Sequence, residues 1–104
     1  MKKIMIHERA GSFAENKDVA KDLRLREILP ALERNEEVIL DFEKVGAVTQ
    51  SFIHALISDV LRKHGSDALD RMSFKSCHET VEKIIRIVIE YMQEGMGVEG
   101  DKTP

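Results

Sequence analysis

At 104 residues the chain has room for one domain and one core, without a deep substrate cavity beside it. A composition 42% apolar and 34% charged excludes a disordered chain, and with 5% aromatics and no tryptophan the core must be built from Ile, Leu, Val, Ala and Met. The net charge is −3, and basic residues are interspersed with acids, as in Arg24-Leu25-Arg26-Glu27, which excludes the one-sign stripe of a nucleic-acid binder.

Ile4-Met5-Ile6 reads as a short strand. The basic and then apolar opening around it is too short for the core of a signal peptide. No run approaches the roughly 18 apolar residues of a membrane span, so a bacterial-type cytoplasm is the expected location and no membrane partner is expected. Ser12-Phe13-Ala14-Glu15 fits the S-x-x-E capping box, in which hydroxyl and carboxylate each satisfy an orphan backbone donor; Asn16 is a second candidate cap. Either one opens a helix to about Arg34 whose apolar positions include Ala20, Leu23, Ile28, Ala31 and Leu32. Pro30, lacking an N–H, should kink that helix or mark where two helical pieces join.

The Val38-Ile39-Leu40 run reads as a buried strand of a parallel sheet, ending in Asp41 and Phe42. Gly46 lies in the turn that follows. Thr49-Gln50-Ser51 is a polar cap signal, and Ser51 is read as the cap itself. Phe52, Ile53, Leu56, Ile57, Val60 and Leu61 then make a helical stripe, with Gly65 where a glycine ends a helix. Met72-Ser73-Phe74-Lys75 alternates as a third inner strand, and Ser76-Cys77-His78-Glu79 is another S-x-x-E cap. The last helix carries Val81, Ile84, Ile85, Val88, Ile89 and Met92 and should end at Gly95. Ile87, Tyr91 and Met96 add apolar surface on flanking faces, which gives an alternative reading: a structural or assembly domain that self-associates, a homodimer in the simplest case.

The order β-α-β-α-β-α predicts an α/β fold: one small domain over residues 1–96, with a mainly parallel sheet of 3-4 strands covered by helices, and a flexible tail over 97–104.

Chemical signatures are sparse. There is no G-x-G-x-x-G, no P-loop and no C-x-x-C. Cys77 and His78 are adjacent, but a metal centre needs three or four ligands, and His7, His54 and His64 fall on other elements. No metal or cofactor is expected. A Cys77–His78 nucleophile pair fails because neighbours on a helix do not face each other. Asp41 stands at a strand C-terminus, where open α/β sheets place their sites; without a partner acid it reads as a turn residue. No catalytic set results, and a non-enzymatic module is the reading. Ser51 is the one focal position: a hydroxyl at a helix start can cap the helix or accept a phosphate that the helix dipole stabilises.

Leu40-Asp41-Phe42-Glu43-Lys44-Val45, followed by Val48-Thr49-Gln50-Ser51-Phe52-Ile53, resembles the core signature of the STAS-like family of unknown function, a strand of pattern l-D-F-x-x-V and a helix start of pattern i-x-x-S-F. The resemblance extends over residues 3–94. It implies a STAS-like fold and, more distantly, similarity to the STAS domains of anti-sigma factor antagonists. In those a D-S-[ST]-G segment holds a serine phosphorylated by a partner, a histidine-kinase-like (GHKL-type) ATPase, and phosphorylation breaks their complex. Ser51 falls at that serine, with Thr49 in place of the aspartate and Phe52 in place of the glycine. The resemblance therefore implies a signalling module whose motif residues are Asp41, Phe42, Thr49, Ser51 and Phe52.

Overall fold

The computed structural model describes residues 1–97, with side-chain burial through Gln93. In chain order the elements are β1 (Lys2–Met5), α1 (Ile6–Ala10), β2 (Phe13–Ala14), α2 (Lys17–Leu23), a π-helical turn (Arg24–Ile28), α3 (Leu29–Glu33), β3 (Val38–Asp41), β4 (Ala47–Val48), α4 (Gln50–His64), α5 (Ser66–Arg71), β5 (Met72–Lys75) and α6 (Glu79–Gly97). The three long strands form a parallel sheet in the order β1-β3-β5. Its register pairs Ile4 with Leu40 and Leu40 with Phe74. The expected α/β architecture is present, with a mainly parallel sheet and a second, two-stranded parallel ladder between β2 and β4.

Side chains alternate across a strand. One face of the sheet therefore carries Ile4, Val38, Leu40 and Met72, all buried against the helices. The other face carries Lys3, Ser73 and Lys75, all exposed, and Ile39 between Lys3 and Ser73 is only half-buried. The apolar run of β3 thus fills one face and meets water near the other. Helix α4 is the central strut of the helical layer: it packs on α2 and on α6, and Phe52, Ile53, Leu56, Ile57, Val60 and Leu61 all lie in the core.

Several local expectations are corrected. Ile6 leaves the first strand and enters the short helix α1. Ser12 caps no helix: its carbonyl accepts from the Gly46 and Ala47 N–H groups at 2.9 and 3.3 Å, so this segment runs extended beside β4. Asn16 is the cap of α2, and its Oδ1 accepts from the Asp18 and Val19 N–H groups at 2.8 and 3.3 Å. Pro30 does mark a junction of helical pieces. The preceding turn widens until the Leu29 N–H reaches the Arg24 carbonyl, and Pro30 sits in the first turn of α3, where its missing N–H is not needed. Ser76 lies at φ 58, outside the extended conformation an N-cap adopts, and the first carbonyl of the α6 ladder belongs to His78, which accepts from Glu82 N–H at 2.9 Å. Glu79 is therefore the first helical residue rather than the third. Helix α6 continues past Gly95 to Gly97. Of the tail expected over residues 97–104, Gly97 belongs to α6, and residues 98–104 lie outside the described residues.

Candidate functional site

The site is built by the turn between β3 and α4. Asp41 ends the central strand with its side chain only 9% exposed; Oδ1 accepts from the Glu43 N–H at 2.9 Å, and Oδ2 lies 3.6 Å from Lys3 Nζ. The carboxylate closes its own turn and is not presented at the sheet edge. Phe42 next to it is fully buried, with its N–H donating to the Lys75 carbonyl at 2.9 Å. Val45 N–H then closes the turn on the Phe42 carbonyl at 2.9 Å, leaving Lys44 at φ 71.

The chain next passes β4, and Thr49 N–H donates to the Ala14 carbonyl at 3.0 Å, which anchors the start of α4. The cap of α4 is Thr49. Its backbone is extended (φ −97, ψ 157), and its Oγ1 accepts from the Phe52 N–H at 3.0 Å. The expectation that Ser51 caps this helix is thereby corrected: Ser51 is the second helical residue, and the preceding threonine already meets the donor a cap would meet. Phe52 and Ile53 are wholly buried. They hold the first turn against the core, which turns Ser51 and Gln50 outward, both exposed.

Of the five motif residues, four are thus consumed by the fold. Asp41 closes a turn, Phe42 and Phe52 fill the core, and Thr49 caps a helix. Ser51 alone faces out. It stands on the rim of a groove of about 500 Å³ between α4 and α6, shared with Lys17, His54, Ala55, Ile87 and Tyr91. The last two are 41% and 67% exposed. None of the described residues lining this groove is a carboxylate. Among the described lining residues the basic side chains are Lys17 and His54, and the first N–H groups of α4, which have no partner within the helix, add to the positive end. His54 lies one turn from Ser51, but no hydrogen bond joins them among the described residues and no acid orients the imidazole, so the pair lacks the nucleophile–base–orienter arrangement of covalent catalysis. The arrangement suits contact, with an apolar wall, a positive rim and a hydroxyl that can be modified.

The sequence places Ser51 and His54 on one helix and Ile87 and Tyr91 on another without joining the two pairs, and it does not single out Lys17. The i, i+3 spacing of Ser51 and His54 was the one local signal available.

Cys77 and His78 form no site with each other. Cys77 is half-buried, with Sγ 3.8 Å from the Lys75 carbonyl, while His78 is exposed. Burial pushes the Cys77 thiol above its ordinary range, and the charges of Glu82 and Asp41 push it further, so the thiol is held in its unreactive form. No group of three metal-ligating side chains occurs among the described residues. Nor is any described helix long and apolar enough to cross a membrane.

The family model of the STAS-like domain of unknown function (DUF4325) matches residues 20–82. The chain belongs to this STAS-like family. The match includes the turn from Asp41 and the start of α4 with Ser51, and it ends before the outer residues of α6. Comparison with curated proteins and with solved structures gives no match.

Proposed function

We propose that this STAS-like domain is a non-enzymatic, cytoplasmic regulatory module that binds a protein partner through the groove between α4 and α6, with Ser51 as its switch. The partner expected from the resemblance to anti-sigma factor antagonists is a histidine-kinase-like ATPase. The observation that carries the reading is the isolation of Ser51: it is the one motif residue left free by the fold, exposed beside the exposed apolar Ile87 and Tyr91. The switch is transfer of the γ-phosphoryl group of ATP to Ser51 Oγ, with ADP leaving and the serine proton passing to a base on the partner. The product brings a charge near −2 to the first turn of α4, where the helix dipole favours it. It also adds bulk and charge to the rim a partner would cover, so the modified domain releases its partner.

The test uses the full chain and the histidine-kinase-like ATPase encoded nearest to it. Incubation with Mg-ATP should phosphorylate Ser51, read by mass spectrometry, and Ser51→Asp should weaken the complex at least tenfold. No association, with Ser51 unmodified and Ser51→Asp without effect in cells, would sink the reading. The exposure of Ile87 and Tyr91 also favours a second reading, in which the domain acts as a homo-oligomer.

A further inference from the structure

Helix α6 carries two stripes. Val81, Ile85, Val88 and Met92 are buried and face the core. Ile84, Ile87 and Tyr91, at spacings of three and four, form a second apolar line on an adjacent face, half-buried at Ile84 and exposed at the other two. Lys83 and Glu90 run along the opposite side of that line. Both are exposed, and neither has an ion-pair partner among the described residues, whereas the neighbouring Arg86 pairs with Glu82 at 3.4 Å.

The positions are self-complementary about Ile87. A two-fold axis at that residue, perpendicular to the helix, sets α6 antiparallel to α6 of a second copy. It reverses each residue along the seam but keeps it on its own side. Ile87 then meets its counterpart at the centre. On one side Ile84 meets the second copy's Tyr91, and on the other Lys83 meets its Glu90, each contact occurring twice. At about 1.5 Å rise per residue, Lys83 stands about 6 Å from the axis and Glu90 about 4.5 Å, so the opposed charges lie nearly level. A parallel pair, related by an axis along the helices, would exchange the two sides and set Lys83 and Glu90 against the Ile84–Tyr91 line of the second copy, leaving the charges unpaired, so the charges select the antiparallel arrangement.

From this pattern we infer that α6 is the seam of an antiparallel homodimer, closed by Ile87 and by two Lys83–Glu90 pairs between copies. Ile87 and Tyr91 also line the groove beside Ser51, so the seam and the proposed partner compete for one surface; that last clause alone rests on the proposed function.

The sequence supplies its own reporter. Tyr91 is the sole tyrosine and tryptophan is absent, so intrinsic emission comes from the seam. Sedimentation equilibrium of the full chain from about 10 μM to about 1 mM, a range suited to the weak association expected of a one-helix interface, should show the mass doubling while Tyr91 emission changes in step. Ile87→Asp should stay monomeric with an unchanged circular-dichroism spectrum. Lys83→Glu and Glu90→Lys should each weaken the dimer about tenfold, since each sets two like-charge contacts in the seam, and the double exchange should restore it to within about threefold. A monomer at the highest concentration, a dimer indifferent to Ile87→Asp, or a double exchange that fails to restore association would overturn the inference. Each of these would leave partner binding at Ser51 standing, while a stable α6 dimer with no ATPase complex would do the reverse.

Discussion

The most direct check on the site is the pair Thr49→Ala and Ser51→Ala. The threonine hydroxyl accepts the Phe52 N–H at 3.0 Å, a donor that the helix itself cannot satisfy. Its removal should cost about 1 kcal/mol, the usual worth of a Ser or Thr cap. For a domain of roughly 100 residues that is a fall in Tm of about 4–8 °C. Ser51 is exposed at the second helical position and caps nothing, so Ser51→Ala should change stability by less than about 0.5 kcal/mol. The third member of the set is Ser51→Asp. A negative charge in the first turn should gain about 0.3–1 kcal/mol, and salt should screen most of that gain. Urea unfolding followed by circular dichroism, at low and high salt, reads all three. A larger loss from Ser51→Ala than from Thr49→Ala would return the cap to Ser51 and end its assignment as a free hydroxyl. A salt-independent loss from Ser51→Asp would show that the helix start does not welcome charge, and a phosphate there would lack its stabilisation.

Other expectations follow from single features. Lys44 sits at φ 71, a conformation that costs a side-chain-bearing residue about 1–2 kcal/mol; Lys44→Gly relieves that strain, loses part of it to unfolded-state entropy, and should raise stability by about 0.5–1 kcal/mol in urea unfolding. Arg24 is buried with Nε unpartnered while its NH1 group donates to the Ala55 carbonyl at 2.7 Å; since Asp59 keeps Arg62 at 2.6 Å, Arg24→Met should fall within about 1 kcal/mol of the parent, with a larger loss refuting the account. The raised thiol of Cys77 has a signed consequence: the unfolded chain releases its proton near pH 8.5 while the folded chain still holds it, so stability should decline as pH rises beyond that point, and Cys77→Ser should flatten the decline. The Arg9 guanidinium, bonded to Asp22 at 2.6 Å, holds that carboxyl below the usual carboxylate range, with Arg26 assisting; the associated stability is present above the ordinary carboxylate range and lost as pH falls through the lowered folded value, and Asp22→Asn should remove that part of the acid slope.

How far the fold was legible depended on whether a segment's partner lay close in sequence. The α4 stripe and its terminal Gly65 could be read because helix periodicity and a left-handed glycine are local properties; Gly65 takes φ 64 and its N–H reaches the Leu61 carbonyl at 2.7 Å. The β5 alternation was legible for the same reason. Ser12 and Ser76 each satisfied a local capping pattern and neither caps. In the first case the competing interaction is a ladder to residues more than thirty positions away, Gly46 and Ala47, which no window around Ser12 contains. In the second, the turn after β5 takes Ser76 left-handed before the helix can begin. The motif itself was legible as letters, but its division of labour was not. By residue type Ser51 is a slightly better cap than Thr49, and only the anchoring of Thr49 on Ala14 decides which hydroxyl meets the helix and which meets solvent.

That division bears on where specificity resides. The residues beside Ser51 are fixed by demands of the fold: Phe52 must reach the core, Thr49 must cap, and a serine between them is carried outward by helix geometry whatever its use. The family match includes this half of the groove and stops at residue 82, before Ile84. The apolar wall of Ile87 and Tyr91 lies beyond it, on the outer face of a helix whose inner face alone is needed to complete the core. Substitutions on that outer face leave folding nearly untouched and change what the groove can hold, whereas substitutions at Phe52 or Thr49 change the fold first. Under the proposed function, choice of partner is therefore set mainly by α6, and the chemistry of switching by α4.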